Sequence, residues 1–123
     1  MHVIRNADAP FDQRDPNISN LGIQQCNELG KVFGEPDSVE LFVCSPLRRA
    51  IDTALTAFAN PKKVKVIAHP DARETTDNPS CLEYDTGSSR SSLEQQYNNQ
   101  FLDKVDFELV PEAWEHDVRN GNI

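Results

Sequence analysis

Nothing in the sequence approaches the run of about twenty apolar residues needed to cross a bilayer, and residues 1–10 lack the apolar centre of a leader peptide. A cytoplasmic protein with no membrane partner is expected. Basic residues are scarce as well: twelve Lys plus Arg face twenty Asp plus Glu, for a formal net charge of -8. Neutralising a phosphate backbone takes a basic face that this balance does not provide, so a nucleic-acid partner is excluded and the acidity serves solubility. Cysteine is limited to Cys26, Cys44 and Cys81, an odd number with neither metal spacing nor the density of a disulfide framework. Reduced, buried thiols in an intracellular protein are expected. His2 and His69 have no carboxylate at ligand spacing, and no glycine-rich loop occurs, so neither a metal nor a nucleotide cofactor is called for.

What is present fits one domain over residues 1–123, a length that buries roughly two-thirds of the unfolded chain's surface. The hydrophobic fraction of 37% is low and is concentrated in the first two thirds. His2–Arg5 reads as a first strand, followed by a loop that Pro10 and Pro16 keep out of helix. Ser19 or Asn20 can cap a helix with Ile23, Cys26, Leu29, Val32 and Phe33 on one stripe, ended by Gly34 and Pro36.

Glu40–Cys44 reads as a second, buried strand. Ser45 and Pro46 then suit the N-cap and first turn of a helix carrying Leu47, Ala50, Ile51, Ala54, Leu55 and Phe58. Val64–Ala68 gives a third strand, and alternating strands and helices imply parallel crossovers. The loop from Asp71 to Ser89 is too long for a passive connector. Ser91 with Glu94 has the pattern of a capping box for a helix near residues 92–102. Val105–Val110 alternates apolar and acidic residues as an exposed extended segment would, and Trp114 is the one large anchor beyond it.

In an open α/β sheet, ligands bind beyond the carboxyl ends of the strands. Two such ends offer cations here: Arg5 after the first strand, and Arg48 and Arg49 in the first turn of the second helix. Arginine there opposes the helix dipole until an anion occupies the site, which points to phosphate. A cysteine-phosphatase loop is not met, because Arg49 falls one residue short of its spacing from Cys44 and no glycine lets the backbone wrap the anion.

Val3-Ile4-Arg5-Asn6-Ala7 resembles the arginine-histidine-glycine or alanine opening of the histidine phosphatase superfamily, the phosphoglycerate-mutase-like proteins. Residues 15–25, with Pro16, Leu21, Gly22 and Gln25, resemble the segment by which that family enters its first helix, and Ser45–Ala54 is similar to its second signature. Arg73–Asp77 with Asp85–Ser88 looks like the fungal-type branch. The resemblance runs over residues 2–114. It implies a three-layer α/β/α sandwich with a mostly parallel sheet, in which Arg5 and Arg49 bind phosphoryl oxygens and Glu74 donates the proton to the leaving group. Ser45 and Thr53 would support the fold. The chemistry agrees: guanidinium forks match the equatorial oxygens of a transferring phosphoryl group, and an acid near the leaving oxygen avoids expelling an alkoxide.

Two departures stand out. Asn6 occupies the position of the family's nucleophilic histidine. Its amide lone pair is delocalised and cannot form a phospho-enzyme, although its N–H can still bond a phosphate oxygen. The later strands that return a second histidine are also missing, since His116 has no apolar strand before it and reads as a surface residue. The sequence thus reads as C-terminally truncated relative to the family, leaving an open sheet edge or apolar face that invites homodimer formation. The expected function is binding of a small phosphorylated molecule or inorganic phosphate by Arg5, Arg49 and Asn6 with catalysis impaired. The alternatives are an active phosphomonoesterase with a surrogate nucleophile or water, or a degenerate fragment without activity.

Overall fold

A computed structural model of the chain describes residues 6–10, 13–33, 41–58, 65–72, 86–101 and 105–116. The sequence-predicted first strand, Arg5, Glu74, Cys81 and most of the 71–89 loop lie outside them, as does the side chain of His116. The described elements are helix α1 (Asn20–Phe33), strand β1 (Leu41–Cys44), helix α2 (Arg48–Phe58), strand β2 (Lys65–Ala68), helix α3 (Arg90–Phe101) and strand β3 (Val105–Asp106). Short 3-10 turns at Pro70–Ala72 and Trp114–His116 follow β2 and β3.

The strands form one sheet in the order β1-β2-β3, all parallel. The register sets Phe42 beside Val66 and Cys44 beside Ala68, and Val105 continues the row from Val66. Because side chains alternate across a strand, this row makes one face, and Cys44, Val66, Ala68 and Val105 on it are all buried. The α/β class and parallel sheet are those expected of a phosphoglycerate-mutase-like fold.

Helix α2 provides the centre of the core. Its predicted stripe is met from Leu47 to Leu55, with the side chain of Phe58 outside the described residues: Leu47, Ala50, Ile51, Ala54 and Leu55 are buried, and they join Leu93 and Tyr97 of α3 with Phe107, Val110 and Trp114 in one cluster. Burying Ile51 or Leu55 contributes about 1.5–3 kcal/mol each. Helices α2 and α3 pack on this face of the sheet, and α1 packs against α2. The opposite face shows Leu41 and Val43, each about half exposed, so β1 is not the fully buried strand its sequence suggests. On that face Lys65 and Asp106 pair across the strands at 3.7 Å.

Helix α1 departs from its predicted stripe at Ile23, while the side chains of Val32 and Phe33 lie outside the described residues. Cys26 is buried but Ile23 is exposed, and the side turned inward carries Gly22, Cys26 and Gly30 at intervals of four. The physical reason is close backbone approach. A Cβ on Gly30 would come within 3.1 Å of the Ala57 carbonyl oxygen of α2, and one on Gly22 would overlap the carbonyl oxygen of Asp8. Glycine carries no hydropathy, so a hydrophobic periodicity overlooks this contact.

Two further expectations change. Helix α3 starts two residues early, with Ser89 as its cap: the Ser92 N–H donates to Ser89 Oγ at 3.3 Å and the Leu93 N–H to Ser89 O at 3.1 Å. Ser91 instead donates to Glu112 Oε2 at 2.8 Å, and Glu94 pairs with Arg90 at 3.1 Å. The segment at 105–110 is not exposed, since Val105, Phe107 and Val110 are buried and only Glu108 and Leu109 face outward. Trp114 is the anchor expected, 2% exposed, and its Nε1–H donates to Ser88 O at 2.7 Å.

Candidate active site

The loop 45–47 takes the chain from the carboxyl end of β1 straight into α2, so the first turn of α2 stands at the edge of the sheet where ligands of open α/β folds bind. Ser45 caps that turn by accepting the Leu47 N–H at 3.1 Å. The next orphan donor, Arg48 N–H, is met from far away in sequence by Asp15 Oδ1 at 2.8 Å.

Asp15 and Arg48 belong to a polar tie beside the site. The Asp15 carboxylate is 1% exposed and accepts Ser88 Oγ–H at 2.6 Å, with the Arg48 guanidinium 3.7 Å away. Its backbone holds a positive φ of 43°, a conformation that aspartate adopts more readily than most side chains. Burial pushes its carboxyl above the ordinary value of 3.8, while Ser88 and Arg48 pull the other way. Arg48 also donates from Nε to Gln96 Oε1 at 2.7 Å on α3. One turn on, Asp52 accepts Tyr97 Oη–H at 2.7 Å, Asn17 Nδ2–H at 2.7 Å and Ile18 N–H at 3.1 Å. The loop before α1, helix α2 and helix α3 are thereby locked together.

The two neighbouring arginines therefore part company. Arg48 spans to Asp15 and Gln96, whereas Arg49 in the same turn is buried at 4% exposure. A guanidinium stays charged at any accessible pH. At that burial its attraction for an anion is several-fold stronger than in water.

The segment carrying Asn6 is fastened next to this turn. The Ala7 N–H donates to Thr53 Oγ1 at 3.0 Å, and Thr53 Oγ1–H donates to the carbonyl of Arg49 at 2.7 Å. One residue on, Asp8 N–H donates to Gln25 Oε1 at 2.8 Å, and Asp8 O accepts the Ser19 N–H at 2.8 Å. Ser19 Oγ–H donates to Asp8 Oδ2 at 2.7 Å and accepts the Gly22 N–H at 3.1 Å, capping α1 in the same stroke. Ala7 and Ala9 are buried, while the side chain of Asn6 is exposed.

Of the residues expected in the site, Asn6 and Arg49 are thus brought to neighbouring stretches of chain. Arg5 and Glu74 lie outside the described residues. The tie through Asp15, Ser88 and Gln96, and the Gln25 bond to Asp8, have no local signature, because each joins residues at least 17 apart. Cys44 lies on the core side of β1 with its thiol pushed up to about 12 by burial, far from the thiolate that a nucleophile needs. Among the described residues no group of three or more His, Cys, Asp and Glu is placed to hold a metal ion, and no helix is long and apolar enough to cross a membrane. A groove of about 280 Å³ opens by Lys65 and Val105, at the amino ends of β2 and β3, and its cations Lys65 and Arg90 each face an acid.

A family model of the histidine phosphatase superfamily (branch 1) matches residues 6–110, from Asn6 through both described signatures to the end of the buried 105–110 segment. The chain belongs to the histidine phosphatase superfamily. The match is to branch 1 and reaches no narrower than that, so the fungal-type likeness of residues 73–88 stays a resemblance. No curated protein and no solved structure gave a match. Within this histidine phosphatase domain, the segment matching the family's arginine-histidine opening is the one fastened at Ala7 and Asp8, and the second signature, Ser45–Ala54, is the cap and first half of α2.

Proposed function

We propose that this histidine phosphatase relative binds inorganic phosphate or a small phosphoester and does not turn it over by the family's phospho-enzyme route. The observation that carries the reading is the Ala7–Thr53–Arg49 chain of hydrogen bonds, which sets the Asn6 backbone against the turn bearing a buried guanidinium. In the proposed site Arg49 and Arg5 hold equatorial phosphoryl oxygens, and Asn6 Nδ2–H donates to one of them. Glu74 occupies the proton donor's place in the sequence. An amide at position 6 has no available lone pair to attack phosphorus, so no phospho-enzyme forms and the bound oxyanion persists.

The test is thermal melting of the full chain with and without millimolar phosphate or vanadate, run beside hydrolysis of a generic aryl phosphate. A ligand that binds only the folded state stabilises it by about 2.7 kcal/mol at one hundred times its Kd. A raised midpoint with no hydrolysis is the expected pair. An unshifted midpoint removes the binding site, and hydrolysis by the natural sequence removes the impairment.

A further inference from the structure

Thr53 is 2% exposed and uses both functions of its hydroxyl: the O–H donates back to Arg49 O, four residues earlier, and a lone pair accepts the Ala7 N–H. A threonine bonding the carbonyl four residues back is common within helices. Here its second bond leaves the helix and reaches a segment 46 residues distant in sequence. That segment carries Asn6, and the carbonyl at the other end belongs to Arg49. Ala7 is itself buried, so without the hydroxyl its N–H would stay unsatisfied and the strap would move to find another acceptor.

We infer that Thr53 is a positioning residue for the anion site, its hydroxyl setting the separation between the Asn6 backbone and the Arg49 turn so that both address one phosphate. The inference rests on the proposed phosphate site. It assigns Thr53 no contact with ligand, only control of the two groups that make contact. Thr53→Val removes the hydroxyl at closely similar shape, and Thr53→Ser retains it.

The experiment measures phosphate affinity by calorimetric titration of the full chain, well below the melting midpoint, together with hydrogen exchange at the Ala7 amide. The natural protein should protect that amide and bind phosphate. T53V should lose the protection and bind about fivefold to tenfold more weakly, the size of one buried hydrogen bond. T53S should restore both. Val105→Ala serves as the control for stability alone, because Val105 is buried on β3 with β2 between it and β1. It should lower the melting midpoint and leave affinity unchanged. Phosphate binding by T53V equal to that of the natural protein overturns the inference while the binding site stands. Loss of affinity in V105A equal to that in T53V also overturns it, since the effect would then follow stability. No phosphate binding by the natural protein overturns the site, and this inference with it.

Discussion

Gly22→Ala separates two opposite expectations for α1. In an exposed helix the substitution stabilises by about 1 kcal/mol, because glycine is the poorer helix former. At position 22 the added methyl would overlap the carbonyl oxygen of Asp8 and lie 2.9 Å from Ile18 Cβ. The obstructing atom is backbone, and it cannot retreat without stretching the Ser19 N–H bond to Asp8 O at 2.8 Å and the Asp8 N–H bond to Gln25 at 2.8 Å. Overpacking of this kind costs about 1–3 kcal/mol, and each weakened hydrogen bond adds about 1 kcal/mol. Set against the propensity gain of about 1 kcal/mol, the net is a loss of about 2–4 kcal/mol. At this chain length, about 4 °C per kcal/mol, that lowers Tm by roughly 8–16 °C. Circular dichroism melting of the natural protein and G22A reads the change, and amide spectra of residues 6–9 report whether the strap has moved. A midpoint that is unchanged or raised would refute the claim that α1 is docked through glycine contact with the strap.

The buried Asp15 makes a prediction about pH. Its native pKa is raised above 3.8 chiefly by burial, so the folded state holds the proton more tightly than the unfolded chain does. That contribution to stability is complete below about pH 3.8 and is lost as pH rises through the raised native value. In urea unfolding, the stability of the natural protein relative to Asp15→Asn should therefore fall as pH climbs from about 3.5; a difference that is constant or grows with pH contradicts the assignment. Gly87→Ala places a methyl 2.5 Å from Cη2 and 3.1 Å from Cε2 of the buried Trp114 ring. Displacing the ring also strains its Nε1–H bond to Ser88 O, so a loss of about 2–3 kcal/mol is expected, with a red-shifted tryptophan emission as the ring meets water. Unchanged emission would show that the ring had not been displaced.

Much of the fold is legible in the residues because hydropathy encodes it. The α2 stripe, the strands at 41–44 and 65–68 and the Trp114 anchor all follow from apolar spacing. What hydropathy carries poorly is where the backbone comes close and where polar groups pair at long range. The Gly22, Cys26 and Gly30 face of α1 has Cys26 as its one apolar residue, yet it is the face that docks. Ser89 rather than Ser91 caps α3, because Ser91 is drawn to Glu112, 21 residues away. Arg48 and Arg49 are indistinguishable in the sequence as adjacent cations. Only the helical rotation between them, which turns Arg48 to Asp15 and Gln96 and leaves Arg49 buried, gives them different tasks. Asn6 and Arg49 were legible as candidates through family resemblance, whereas the Thr53 tie that sets them side by side joins segments too distant for any local pattern.

The central claim is that the Asn6 strap and the Arg49 turn share one anion. Its most direct test is a titration of inorganic phosphate into uniformly 15N-labelled protein, following the Asn6 side-chain amide, the Ala7 backbone amide and the Arg49 Nε–H together. The account predicts that all three shift along one saturable curve with a single Kd. Shifts confined to other residues, or separate curves for the strap and for Arg49, would contradict it.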